Sequence, residues 1–182
     1  SQDVEADDSI LDHTKARLPW LVLALLGGFV SVRVLGLFEG AMVEHGKLFF
    51  FTPLIAAMAG NVGVQSSAII VQGLANNTLS GSLFNRLVNE VSLSLLNGVI
   101  LAIILFLGSH FLLNVEFIIG IIVTIALISV IIIASLIGTF IPLLLDKFGI
   151  DPALATGPFI TTSNDICGLL IYFSIAKIIL GF

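Results

Sequence analysis

Five long apolar segments, separated by short polar connections, account for most of this 182-residue sequence. Each is long enough to cross the hydrocarbon core of a bilayer, which takes about 20 mostly apolar residues in a helix. We predict membrane spans at residues 18–37, 48–74, 87–108, 117–143 and 152–179. Backbone polar groups must be satisfied within the bilayer, and the segments lack the alternation of membrane strands, so we predict that all five are helices.

The composition excludes an ordinary soluble domain. Hydrophobic residues make up 58% of the chain and charged residues only 10%, with a mean hydropathy of +1.17, whereas about a quarter of a soluble domain is charged. The net charge of −5 reflects an acidic start, since five of the twelve acids lie in the first twelve residues. We therefore predict an all-α integral membrane protein, with a short acidic polar tail at 1–17 and a five-helix membrane domain at 18–182.

An odd number of spans places the two termini on opposite sides of the membrane. With the N-terminus inside, four basic residues are cytoplasmic, namely Lys15, Arg17, Arg86 and Lys147. Three others lie outside or near the outer interface, namely Arg33, Lys47 and Lys177. Cytoplasmic loops carry an excess of Lys and Arg, so we predict a multi-pass plasma (inner) membrane protein with a cytoplasmic N-terminus and an outside C-terminus.

The fifth predicted span contains an acid, Asp165, within the stretch "TTSNDICGLLIYF". A charged side chain at the centre of a bilayer helix costs about 2.5 to 3.5 kcal/mol on insertion scales, so such residues usually face a partner or a water-filled cavity. The basic residues all lie near one interface or the other, and none is at the depth of Asp165. A proton, a cation or a second copy of the chain therefore remains as its partner.

Two predicted helices carry polar stripes at helical spacing. The stripe of the fifth span consists of Gly157, Thr161, Asp165, Gly168 and Tyr172. The stripe of the second span consists of Asn61, Gln65, Ala68 and Gln72. Hydrogen bonds between helices could also account for Asn61, Gln65 and Thr161. At the start of the third span, the i, i+4 spacing of Arg86 and Glu90 predicts an ion pair near the cytoplasmic interface.

The sequence resembles the membrane domain of the MgtE family of magnesium channels and transporters. Two stretches carry the resemblance, "PLIAAMAGNVGVQSSAIIVQGLA" in the second span and "LLLDKFGIDPALATGPFITTSNDICGLLIYF" leading into the fifth. The five-span arrangement agrees with that family over nearly the whole chain.

The resemblance implies a homodimer in the bilayer, with a pore on the twofold axis lined by the second and fifth spans. It implies Mg²⁺ as the transported ion, with Mn²⁺, Co²⁺ and Ni²⁺ as further candidates, and no nucleic acid partner. The metal positions that it implies are Asp165, which holds a hydrated ion at the centre, and Thr161, Gly157 and Asp151. The pore-lining positions that it implies are Asn61, Gln65, Thr161 and Asp165.

The sequence departs from the family at two points. Gly157 stands where some members carry asparagine, which removes a side-chain ligand and leaves the carbonyl. The cytosolic regulatory region of the family has no counterpart among the residues before the first span, so we expect little inhibition of transport by cytoplasmic Mg²⁺.

Two other functions would also account for an unpaired acid in a membrane helix. A proton- or sodium-coupled divalent cation carrier also suits such an acid. An intramembrane aspartyl protease uses two different aspartates, commonly in "YD" and "GxGD" motifs, and neither motif occurs here. We therefore expect a transport protein and not an enzyme.

Overall fold

The computed structural model describes residues 9–79 and 81–181. Within these residues it contains six α-helices and one 3₁₀ helix. The elements are α1 (Ile10–Gly36), α2 (Glu39–Glu44), the 3₁₀ helix (Gly46–Phe51), α3 (Thr52–Ala75), α4 (Leu83–Phe111), α5 (Phe117–Lys147) and α6 (Pro152–Leu180). Five of the helices are long and apolar enough to cross a membrane, which confirms the all-helical class and the five predicted spans.

The helix α1 begins well before the predicted first span, at Ile10 instead of residue 18. The Ser9 side chain caps this helix by accepting a hydrogen bond from the Asp12 amide at 3.3 Å. Hydropathy detects only the part of a helix that lies in the bilayer, whereas a capped polar turn extends the helix beyond it. Residues 1–8 of the predicted acidic tail lie outside the described residues, and residues 9–17 form the cap and first turns of α1.

The second predicted span consists of two elements. The short 3₁₀ helix buries Leu48 and Phe51, and α3 then begins at Thr52 with Pro53 in its first turn. Proline suits this position because backbone N–H groups in the first turn of a helix have no acceptor within the helix, so the lack of an N–H in proline costs no hydrogen bond.

The helix α5 lies at the centre of the protomer and packs against α3, α4 and α6. The side chains of Ile122, Val123 and Ala126 on this helix are fully buried. The peripheral helix α1 packs against α6 and has few buried residues. Because α6 contacts α1, α3 and α5, its position depends on three neighbours.

Glycine allows a close approach of backbones between α3 and α5. A β-carbon added to Gly138 would lie 2.3 Å from the carbonyl oxygen of Gly63. Small residues permit such contacts between membrane helices, and this one brings α5 directly behind the part of α3 that carries the predicted polar stripe.

Candidate cation site between α3 and α6

An open hollow of about 520 Å³ lies between α3 and α6. It is lined by Ala56, Ala57, Gly60, Asn61, Val64, Gln65, Thr161 and Asp165. A second hollow of about 280 Å³ lies between the same helices, and Val64 borders both. The lining of this second hollow includes Ala68, Gln72 and Gly157. We call the two hollows together the α3–α6 groove.

The structure therefore brings most of the predicted site residues together. Asp165, Thr161, Asn61 and Gln65 line the first hollow, and Gly157 lines the second. Residues that are separated by about 100 positions in the sequence meet here because α3 and α6 pack side by side.

The Asp165 carboxylate is partly buried in this groove. Within residues 9–79 and 81–181 it has no hydrogen-bond or ion-pair partner. Lys47 and Glu116 form an ion pair outside the groove, with 2.9 Å between Nζ and Oε1, and both side chains are exposed. The described structure thus provides no cation that would neutralise Asp165.

The backbone of α3 passes close to this carboxylate. A β-carbon built on Gly60 would lie 3.9 Å from Oδ1 of Asp165 and 3.6 Å from Cγ2 of Thr161. The absence of a side chain at Gly60 keeps the groove open beside the acid.

Two oxygen atoms on α6 lie one and two turns before Asp165. The Thr161 hydroxyl donates a hydrogen bond to the Gly157 carbonyl at 2.9 Å. This bond uses the hydroxyl proton, so the Thr161 oxygen is left as an acceptor with free lone pairs. The Thr161 oxygen is therefore suited to accept a hydrogen bond from the water shell of a cation, whereas the Gly157 carbonyl already accepts the Thr161 hydroxyl.

Asp151 does not lie in the groove. It is the N-cap of α6, and its Oδ1 accepts a hydrogen bond from the Ala153 amide at 2.9 Å. Asp151 lies fourteen positions before Asp165, which corresponds to about 21 Å along the helix at a rise of about 1.5 Å per residue. Any ion at Asp151 would occupy a different site from one at Asp165.

The last two members of the predicted α6 stripe, Gly168 and Tyr172, pack in the core and do not line the groove. A β-carbon on Gly168 would lie 3.4 Å from the Ala59 β-carbon, against α3. The Tyr172 side chain is fully buried, and its hydroxyl donates to the Leu48 carbonyl at 2.7 Å. The same face of α6 borders the groove in its first half and meets α3 and the 3₁₀ helix in its second half.

The polar residue that sequence reasoning missed is Asn164. Its side chain is 1% exposed, and its Nδ2 donates to the Ala59 carbonyl on α3 at 3.3 Å. It lies beside Asp165 in the sequence but outside the polar stripe. An asparagine on an otherwise apolar helix face was the sequence signal that could have indicated a buried polar contact.

Serine side chains connect α4 to its neighbours outside the groove. Ser66 on α3 donates to Oε1 of Glu90 at 2.5 Å, and Ser94 donates to Ser135 on α5 at 2.6 Å. The ion pair of Glu90 with Arg86 remains a prediction.

The described part of a single chain offers no cluster of metal ligands. The described residues contain no group of three or more His, Cys, Asp or Glu side chains placed to hold a metal ion. The groove instead combines one carboxylate with neutral oxygen and amide groups, which suits an ion that keeps its water shell.

Comparison with known proteins identifies the family. A family model for MgtE, described as a divalent cation transporter, matches residues 52–175, which contain all of α3 and most of α6. The chain is 36% identical over 176 residues to the magnesium transporter MgtE of Bacillus subtilis, covering 96% of this chain. It is 37% identical over 183 residues to that of Enterococcus faecalis, covering 98%.

A third relative is the magnesium transporter MgtE of Thermus thermophilus, which is 34% identical over 171 residues, or 91% of this chain. The chain spans only 36 to 39% of the length of these three relatives. The three are transporters and not enzymes. The chain therefore belongs to the MgtE family of divalent cation transporters.

Proposed function

We propose that this chain conducts hydrated Mg²⁺ across a membrane along the α3–α6 groove, with Asp165 as the central ion-binding residue. The observation that carries the proposal is a carboxylate with no cationic partner among the described residues, in a groove lined by Asn61, Gln65 and Thr161. The naming of the three relatives as magnesium transporters supports Mg²⁺ as the ion.

The chemistry of the groove suits a hydrated ion better than a dehydrated one. Mg²⁺ gives up its water reluctantly and usually binds through one or two carboxylates while retaining several waters. Six waters occupy about 180 Å³ at about 30 Å³ each, and the first hollow measures about 520 Å³. In this arrangement the Asp165 charge attracts the ion while the oxygens of Asn61 and Thr161 accept hydrogen bonds from its waters.

The exposed polar face of the groove supports a homodimer. Asn61, Gln65 and Gln72 are exposed in the single chain, and polar side chains in a membrane normally face the interior of a bundle or a cavity. A second copy facing the groove would cover these side chains, close the groove into a pore on the twofold axis and add a second Asp165.

In a plasma membrane, the membrane potential alone can drive inward transport of the ion, so no further energy source is needed. A divalent ion gains about 4.6 kcal/mol per 100 mV on entering a negative cell, at about 2.3 kcal/mol per charge. Mn²⁺, Co²⁺ and Ni²⁺ carry the same charge and are further candidates for the same groove. Asp151 would offer a separate, weaker site near the cytoplasmic end of α6.

The test is Mg²⁺ influx into liposomes that contain the purified chain and an internal fluorescent indicator. Asp165→Asn removes the charge but preserves the shape of the side chain, so we expect influx to fall to background while the variant stays folded. Glu116→Gln, which removes an exposed acid outside the groove, is the matched control and should conduct normally. Normal influx through folded Asp165→Asn would refute the assignment.

A proton- or sodium-coupled carrier is the second candidate, because an unpaired acid such as Asp165 also suits a proton relay. The same liposomes separate the two functions. A channel continues to pass Mg²⁺ when proton and sodium gradients are absent, whereas a coupled carrier requires one of them.

A further inference from the structure

The amide of Asn164 makes a directional contact between the two groove helices. Its Nδ2 donates to the Ala59 carbonyl on α3 at 3.3 Å, and the side chain is 1% exposed. Asn164 is the residue directly before Asp165, so this bond joins α6 to α3 at the height of the acid.

The structure provides a notch of matching shape for this amide. A β-carbon added to Gly63, one turn after Ala59, would lie 1.8 Å from Nδ2 of Asn164 and 2.9 Å from Cγ2 of Ile160, both on α6. On its other side, Gly63 packs closely against α5, because its carbonyl oxygen would be 2.3 Å from a β-carbon on Gly138. Gly63 thus forms the notch, and the close contact with Gly138 leaves α3 little freedom to move away from Asn164.

The other end of the amide shows that stability alone does not explain this residue. Oδ1 of Asn164 is buried and has no hydrogen-bond partner within the described residues. Turning the amide over would not satisfy Oδ1, because it would then face the Ala59 carbonyl oxygen. A buried acceptor left without a partner is costly, so an apolar side chain at this position would pack at lower cost.

We propose that Asn164 is a positioning residue, whose amide in the Gly63 notch sets the height of α6 on α3 and so places Asp165 beside Gly60 and Asn61. This inference rests on the proposed role of Asp165 in transport. A buried polar residue that fixes register at a cost in stability is well attested for asparagine in coiled coils. An apolar contact would allow α6 to slide, because apolar packing is not directional.

The first test is a double-mutant cycle on Mg²⁺ influx, measured per folded protein. Gly63→Ala places a methyl group on the Asn164 amide and should displace α6, whereas Asn164→Ala removes both the hydrogen bond and the nearest colliding atom. In the Asn164→Ala background, Gly63→Ala should do much less harm, because only the milder contact with Cγ2 of Ile160 at 2.9 Å remains. We expect a coupling of about tenfold, which lies within the range for residues in contact.

The second test measures the helix register without transport. Cysteines at Gly60→Cys and Thr161→Cys, with the native Cys167 replaced by Ala, report the contact of α3 with α6, because the Gly60 β-carbon would lie 3.6 Å from Thr161 Cγ2. Oxidation should form this disulfide rapidly with Asn164 intact, and about tenfold more slowly in folded protein with Asn164→Ala. A role in stability alone would lower the yield of folded protein and leave this rate unchanged.

Gly28→Ala is the control, because a β-carbon there meets nothing within 4 Å. It should leave both influx and disulfide formation unchanged. Independent, multiplying effects of Gly63→Ala and Asn164→Ala, or an unchanged disulfide rate in Asn164→Ala, would overturn the proposal. If no variant conducts Mg²⁺ but the disulfide rates follow the expected pattern, the register role stands and the proposed transport function fails.

Discussion

At the scale of single residues, Asn61 is exposed on α3 and lines the same hollow as Asp165. In the proposed ion path, its amide would supply polar atoms to a hydrated ion without carrying charge. The proposal therefore gives the two side chains different functions: Asp165 would attract the ion, and Asn61 would keep its path polar.

Asn61→Leu should lower Mg²⁺ influx about two- to tenfold, because a hydrogen bond worth about 0.5 to 1.5 kcal/mol is lost from the ion's water shell. An apolar residue in a narrow path also impedes a hydrated ion. Initial influx rates in liposomes measure the effect. Asn97→Leu, at an exposed asparagine on α4, is the matched control, and an equal loss in both variants would contradict a specific role for Asn61.

Tyr172 contributes to stability, and no contact places it in the groove. Tyr172→Phe removes its hydrogen bond to the Leu48 carbonyl and should lower the free energy of unfolding by about 1 kcal/mol. Thermal unfolding in detergent should show a lower midpoint, with Mg²⁺ influx per folded protein unchanged. A large loss of influx without a change in the midpoint would show that Tyr172 does belong to the transport path.

At the scale of elements, α6 has two different environments along one face. Its first half borders the groove through Gly157, Thr161 and Asp165, and its second half packs in the core through Gly168 and Tyr172. The hydrogen bond of Tyr172 to the 3₁₀ helix holds the core half in place. The groove half can therefore remain open while the other end of the helix is anchored.

The contact of α3 with α5 should be the least tolerant of added volume. Gly138→Ala would place a β-carbon 2.3 Å from the Gly63 carbonyl oxygen and 3.0 Å from the Gly63 Cα, and backbone atoms do not move aside as flexible side chains do. We expect a loss of about 1 to 3 kcal/mol in unfolding free energy, as for overpacked cores. Chemical unfolding in detergent measures it.

Gly108→Ala on α4 is the control for Gly138→Ala, because a β-carbon there has nothing within 4 Å. It should leave stability unchanged or raise it slightly, since alanine favours helix more than glycine does. Equal stability of the two variants would show that α3 and α5 lie further apart than in this structure.

At the scale of the whole molecule, the proposed dimer places the α3–α6 groove against its copy. Gln65→Cys, in a Cys167→Ala background, should form a disulfide between two chains upon oxidation in the membrane, because Gln65 lines the open side of the groove. Ile104→Cys, at a side chain that is 61% exposed on α4, should not. Non-reducing gel electrophoresis resolves the outcome, and crosslinking through Ile104→Cys alone would place the interface on α4.

The sequence alone determined the class of the protein and most of the groove. Five apolar segments of sufficient length leave helices as the main option in a bilayer, because each helix satisfies its own backbone. The helical spacing of Asn61 with Gln65, and of Gly157, Thr161 and Asp165, predicted two polar faces, and those faces meet. Periodicity succeeds here because it depends only on the geometry of one helix.

The tertiary structure decided what each part of those faces meets. Nothing in the spacing distinguishes Asp165, which borders the groove, from Tyr172, which is buried against the 3₁₀ helix two turns later. The same holds for Asn164, whose role depends on the Gly63 notch on another helix. The direction of a helix face follows from the sequence, but its neighbour depends on how the helices pack, which long-range contacts between distant parts of the chain determine.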